Sequence, residues 1–207
     1  MDLTKLCSIF VQNNGLIFKL ENTSPFVMWF GSCQEGQNKS YYQYLRELPK
    51  KKQTAFTPNL KDIVGRKVIL IVSDDILPMD LRELKNFLAN HLYCYDVELT
   101  YQSLYLSKDV SKYVAMMKTP RCLVMKYIKD GSVIQESFLP NSIEEEEIKE
   151  ALKELHSDMR LKNIPVFIIE NEQNLEDIKS FGTLVSSDEI FENYECIRKD
   201  IDNLECD

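Results

Sequence analysis

No stretch of this 207-residue sequence runs uncharged for the roughly 18 residues that a membrane-spanning helix needs. Met1 to Phe10 holds one lysine and then a short apolar run that opens a strand pattern, so neither a signal peptide nor a membrane span is expected. No Cys-x-x-Cys pair occurs. The six cysteines (Cys7, Cys33, Cys94, Cys122, Cys196 and Cys206) are scattered along a chain large enough to fold without covalent staples, which points to a reducing compartment, cytoplasm or nucleus. Histidine is scarce: His91 and Cys94 have ligand-like spacing on one helical turn, but no second pair accompanies them, and no metal is expected. Basic residues are outnumbered 25 to 33, for a net charge of -8, which disfavours attraction to phosphate backbones and anionic membranes. Neither nucleic acid nor a membrane is an expected partner. Lys50, Lys51 and Lys52 form one basic cluster beside Pro49 and Pro58, in what reads as a solvated loop.

What is present suits a globular chain of one or two small domains, with 44% hydrophobic residues. Cys7 to Glu21 alternates through Ile9, Val11, Leu16, Phe18 and Leu20 around Asn14-Gly15, a pair that supplies the positive φ angles of a tight hairpin turn. Pro25 leads a third strand, Phe26 to Phe30. Lys67 to Ser73 contains a β-branched run of the kind buried on both faces of a sheet. Asp74 and Asp75 follow, then Pro78 opens a helix carrying Leu81, Leu84, Phe87, Leu88 and Leu92. Val97 to Tyr101 reads as a strand and Ser107 to Met117 as a helix. A second hairpin, Cys122 to Leu139, turns at Asp130-Gly131. Asn141 or Ser142 caps a long helix with Ile148, Ala151, Leu152, Leu155 and Met159 on its buried side. Pro165 to Ile169 is another strand, Asn174 to Phe181 a short helix, and Ile190, Tyr194, Ile197 and Ile201 mark a closing helix. This order is one α/β unit used twice, with a mixed five-stranded sheet in each. Periodicity also allows a single thioredoxin-like domain from about 57 to 155, an adaptor, which leaves the first hairpin and the last fifty residues unexplained.

Several stretches resemble, in order and spacing, the actin and actin-related protein family. Asn14-Gly15-Leu16-Ile17-Phe18-Lys19 with Ser24-Pro25-Phe26-Val27 looks like the family's first phosphate hairpin and the strand after it. Lys67 to Val72 with Leu77-Pro78 and Arg82-Glu83, then Gln102 to Ser107, resemble the next segments. Leu123-Val124-Met125 with Asp130-Gly131 is similar to the second phosphate hairpin, and Asp158 to Leu161 and Phe181 to Leu184 through Asp200 resemble the closing elements. The resemblance implies an α/β fold of two ribonuclease-H-like, actin-type lobes, with mixed sheets flanked by helices and outer subdomains reduced or absent, divided as residues 1–118 and 119–207.

The departures from the family bear on ATP. The family grips the phosphates with glycine-rich hairpins and places a carboxylate on each to organise a divalent metal. Here Val11 and Lys126 stand at the carboxylate positions, Asn13 replaces a glycine, Tyr127-Ile128-Lys129 fills the second glycine-rich part, and Ile169-Glu170-Asn171-Glu172 replaces the glycine pair near the adenosine. Gln102 stands near the family's water-positioning glutamine. Asn14, Gly15, Asp130 and Gly131 remain as vestiges of a nucleotide site. These departures imply no cofactor, no catalytic residue and no enzyme activity. They imply instead a structural or capping subunit of a cytoskeletal assembly, like the pointed-end actin-related subunit of dynactin, cytoplasmic and in contact with protein partners or an actin-related filament. A subunit of a nuclear chromatin-remodelling complex and a nucleotide-binding ATPase with an altered site are the rivals. Trp29, Tyr41, Tyr42 and Tyr44 are the candidate partner-binding aromatics, with core filling as the competing reading. Asp74 and Asp75 are read as helix caps rather than catalytic carboxylates, and Cys33, with His91 or His156 as a base, as an incidental thiol.

Overall fold

A computed structural model describes residues 6–12, 15–20, 23–29, 42, 45, 62–157, 159, 163–171 and 173–204. The chain divides into two compact units, Met1–Thr100 and Tyr101–Asp207. No helix among the described residues is long and apolar enough to cross a membrane.

The first unit is built on strands β1 (Cys7–Val11), β2 (Gly15–Leu20), β3 (Phe26–Trp29), β4 (Val68–Val72) and β5 (Val97–Tyr101). They form one sheet in the order β3-β2-β1-β4-β5. β1 runs antiparallel to β2, as the Asn-Gly signal requires, and parallel to β4, which is why β4 is apolar at every position and fully buried. Helix α1 (Pro78–Leu92) joins β4 to β5, and its Leu84, Phe87, Leu88 and Leu92 pack into a core with Ile9, Val11, Phe18 and Leu70. Phe18 stacks on Phe26 with ring centroids 5.1 Å apart. Each fully buried large apolar side chain of this core stabilises the unit by roughly 1.5–3 kcal/mol, and Phe26, only partly buried, by less.

The second unit holds β6 (Lys112–Lys118), β7 (Leu123–Lys129), β8 (Ser132–Leu139), β9 (Val166–Ile169) and β10 (Thr183–Val185) in the order β10-β9-β6-β7-β8. Counted from its own first strand, this is the order of the first sheet: strand one beside two and four, two beside three, four beside five. β6–β7 and β7–β8 are antiparallel, and β6–β9 and β9–β10 parallel. Helix α2 (Glu145–Leu155) packs over β7 and β8, and the closing helix α3 (Ser187–Leu204) packs on a 3-10 turn at Gln102–Tyr105. The expected pair of mixed, helix-flanked sheets is therefore present.

Three expectations change. Ser107 to Met117 is not a helix: β6 occupies Lys112–Lys118, with Tyr113, Val114, Ala115, Met116 and Met117 all buried. A continuous apolar run lacks the alternation that separates strand from helix, and here it forms the central strand of the second sheet. Because β6 opens that sheet, the division falls at Thr100/Tyr101 instead of 118/119. The long helix starts at Glu145, with Glu144 at its cap and the Glu147 carboxylate accepting the Glu144 N–H at 3.1 Å, so neither Asn141 nor Ser142 caps it. The thioredoxin-like alternative fails, because residues 62–155 are shared between two sheets.

Candidate functional site

In a sheet of this order, the turn joining the first two strands and the C-terminal end of the fourth strand lie at the same sheet end. Parallel strands next to one another make such an end the usual ligand-binding edge. In the second unit these elements are the β6–β7 turn, Thr119 to Cys122, and the residues after β9, Glu170 and Asn171. Thr119 is buried, and its hydroxyl accepts the N–H groups of Arg121 and Cys122, each at 3.1 Å, while lying 3.1 Å from the Cys122 carbonyl to which it donates. Asn141 Nδ2 donates to the Thr119 carbonyl and Asn171 Nδ2 to the Lys118 carbonyl, both at 2.7 Å. Lys118 Nζ pairs with Asp177 at 2.5 Å. Two amides of this turn are thus bound by the turn's own side chain.

Asp130-Gly131 lies elsewhere. With φ of 50° and 71° it makes the left-handed turn that Asp-Gly favours, but it joins β7 to β8, the second and third strands. The true counterpart of the Asn14-Gly15 turn is Thr119–Cys122. Lys126 also changes meaning with this register. It sits in mid-β7 opposite Glu136, with which it forms a 3.0 Å ion pair, and its ammonium lies 5.1 Å from the centre of the Tyr101 ring.

In the first unit the corresponding end is formed by Gln12, Gly15 and the residues after β4. Asn13 and Asn14 lie outside the described residues. Gly15 is buried in β2 opposite Trp29, Val11 is buried in the core, and the Gln12 N–H donates to the Gly15 carbonyl at 3.0 Å. Ser73, Asp74 and Asp75 are all buried at the C-terminal end of β4. Contrary to the sequence reading, they do not cap α1: the cap is Leu77, whose N–H donates to Asp80 Oδ2 at 3.0 Å. Two buried carboxylates therefore stand at the sheet end where this topology gathers ligands.

The remaining predicted residues separate. Tyr42 is 1% exposed and belongs to the first core, so for it core filling is the right account. Tyr41, Tyr44, Cys33 and the Trp29 side chain lie outside the described residues. Gln102 is buried in the 3-10 turn. The His91 ring packs against Phe87, and the Cys94 thiol donates to the Ile63 carbonyl at 3.2 Å, so the two do not converge. Among the described residues, no group of three or more histidine, cysteine, aspartate or glutamate side chains is placed to hold a metal. His156 stacks on Tyr127 in the second unit. Burial pushes the Cys7 thiol up to about 12, with the neighbouring Cys94 adding to the rise, so it is an inert core group and no nucleophile. The sequence does not single out Thr119 as a site residue, and it offers Asn141 only as a helix cap and Asn171 only as part of the Ile169-Glu170-Asn171-Glu172 departure. Their signal lay in the duplication, which becomes visible once β6 is counted as a first strand.

The repeated strand order is the deciding observation. The fold is actin-like. No protein-family model matches the sequence, and no curated relative does. Among solved structures, the chain is similar to MreB5 of Spiroplasma citri bound to ADP, with 8% identity and a TM-score of 0.49, over 74% of this chain and 58% of that one. It is similar to a Bacteroides thetaiotaomicron protein of actin-like ATPase fold, with 8% identity and a TM-score of 0.48, over 93% of this chain and 96% of that one. An exopolyphosphatase from Cytophaga hutchinsonii matches with 9% identity and a TM-score of 0.49, over 81% of this chain and 67% of that one. The chain spans less than two thirds of the MreB5 length, and likeness at this level concerns layout alone. The expectation that the chain is not an enzyme does not stand. Structures of this layout include that exopolyphosphatase, Ppx/GppA phosphatases of Aquifex aeolicus and a putative N-acetylglucosamine kinase of Porphyromonas gingivalis.

Proposed function

We propose that this chain serves as a subunit of an actin-related cytoskeletal assembly, joined to it by protein contacts and ending a series of filament-like interfaces, as the pointed-end subunit of dynactin does. The observation that carries the reading is the Thr119–Cys122 turn. Its amides at Arg121 and Cys122 are bonded to Thr119, where a phosphate-gripping hairpin would turn such donors toward its ligand. The same reading draws support from Val11, an apolar core residue at the position the family gives to a carboxylate. On this reading the chain works in the cytoplasm, at the cytoskeleton.

A second reading, a nucleotide-binding ATPase with an altered site, is favoured by Asp74 and Asp75, buried beside the first hairpin's end of the sheet. One pair of measurements separates them. Affinity purification of the tagged chain from its native cell is expected to recover a cytoskeletal assembly of actin-related subunits; recovery of chromatin-remodelling subunits alone rejects the proposal. Magnesium-dependent ATP turnover by the purified chain that disappears in Asp75→Asn would put the second reading first.

A further inference from the structure

A strand at a sheet edge presents a row of unpaired N–H and C=O groups, and natural edges are blunted by lysines, prolines, bulges or short length. β8 is an edge strand of the second sheet and, at eight residues, the longest strand among the described residues. It contains no lysine or proline, and its only charged residue is Glu136, which is held across the sheet by Lys126. The one irregularity in its pairing falls at the turn end, opposite Tyr127/Ile128, leaving the run from Gln135 to Leu139 in regular register. Three large apolar side chains stand out from this strand into solvent: Val133 at 38% exposure, Ile134 at 48% and Phe138 at 50%. By contrast, β10 at the other edge is only three residues long, and the Glu98 of β5 is matched by Lys67.

Charge decides what fits beside it. α2 packs over β7 and β8, and its cap and body carry Glu144, Glu145, Glu146, Glu147, Glu150 and Glu154 against Lys149 and Lys153. All six carboxylate residues are exposed. A second copy of the chain approaching edge to edge would bring one such helix toward the other, with the net charge of -8 on each molecule opposing it. A basic segment would meet attraction at the same place.

We propose that β8 is a docking edge that accepts an extended segment of a partner protein as a sixth strand, apolar at alternate positions to cover Ile134 and Phe138 and basic between them to answer the α2 carboxylates. Main-chain hydrogen bonds would supply affinity, and the alternation and charge would supply selectivity. This inference rests on the assembly reading above, for which it names the contact.

The test uses the full chain and a fluorescein-labelled peptide of alternating valine and lysine, followed by anisotropy. Saturable binding is expected, weakened at least about tenfold in Ile134→Thr/Phe138→Thr and by a similar factor in Glu150→Lys/Glu154→Lys. The first variant keeps strand-forming residues, and the second changes only exposed helix positions, so circular dichroism should show both folded. A peptide with glutamate in place of lysine is expected not to bind. Three results would overturn the proposal: no saturable binding, equal binding by the glutamate peptide, or a concentration-dependent dimer of the full chain that the Ile134/Phe138 variant abolishes, which would make the occupant a second copy. Peptide binding by β8 together with recovery of chromatin-remodelling subunits alone would leave the docking edge standing while removing the cytoskeletal assignment; the reverse pair of results would do the opposite.

Discussion

Gly182→Ala is expected to destabilise the second unit by roughly 3 kcal/mol, the upper part of the range for an overpacked site. A Cβ at this position would lie 2.2 Å from the Val166 carbonyl oxygen and 2.8 Å from its carbon. Both obstacles are backbone atoms of the residue that opens β9, so no rotamer change relieves them. Gly182 leads directly into β10, and the relief available is a separation of β10 from β9. The backbone at Gly182 is extended, so the requirement is for space and not for a left-handed conformation. Gly131 makes the contrast: its φ is 71° and open space surrounds it, so Gly131→Ala is expected to cost only about 1 kcal/mol. Thermal unfolding followed by circular dichroism measures both. For a chain of this size the first change should lower Tm by about 6–12 °C, and equal shifts in the two variants would mean that β9 and β10 do not lie side by side as described.

Removing Glu136 is expected to be the other costly change. Lys126 has a side chain only 6% exposed, and its ammonium is held between the Glu136 carboxylate, itself 48% exposed, and the Tyr101 ring. Glu136→Ala removes the carboxylate that lies 3.0 Å from this almost buried ammonium, and breaking a fully buried pair in this way costs about 3–5 kcal/mol. Half exposure of the glutamate brings water to one side, so a loss of roughly 2 kcal/mol is expected here. Lys126→Met removes the charge while keeping the length of the side chain, and the double variant Lys126→Met/Glu136→Ala is expected to recover most of the loss. Urea unfolding of the wild type, both single variants and the double variant gives the coupling directly. Additive losses would show that the pair is not coupled and that Lys126 is stabilised by its stem alone.

Much of this architecture could be read from the residues. Asn14-Gly15 and Asp130-Gly131 each announced a hairpin, Val68–Val72 announced a central parallel strand by its lack of alternation, and Pro78 marked the first turn of α1. What escaped was β6. Its Tyr113-Val114-Ala115-Met116-Met117 run is buried on both sides, and such a run carries no period that separates a strand from a buried helix. That single exchange moved everything attached to it. Reading β6 as a helix made β7–β8 the leading hairpin of the second unit, and so Asp130-Gly131 the counterpart of Asn14-Gly15. With β6 restored, the counterpart becomes Thr119–Cys122, a turn whose distinguishing feature is a threonine hydroxyl bonded to two amides, and side chain to backbone bonding of that kind leaves no periodic trace.

The buried acids tell a related story. Asp74 and Asp75 were expected to cap the helix that follows, because aspartate before an apolar-periodic run is the usual start signal. Asp80, three residues inside, accepts the cap N–H instead, and the chain takes two further residues, Ile76 and Leu77, to turn into α1. Position along the sequence alone does not distinguish an acid that caps from one that is buried at a strand end; burial does.

The duplication of one strand order is what the rest depends on, and long-range amide–amide contacts in the NMR spectrum of the deuterated full chain test it most directly. The account predicts parallel contacts joining β1 to β4 near Ile9 and Leu70, and a second parallel set joining β6 to β9 near Ala115 and Phe167, with antiparallel contacts between β6 and β7. Helical sequential contacts through Lys112–Lys118, or contacts that link residues 62–155 into one continuous sheet, would contradict it.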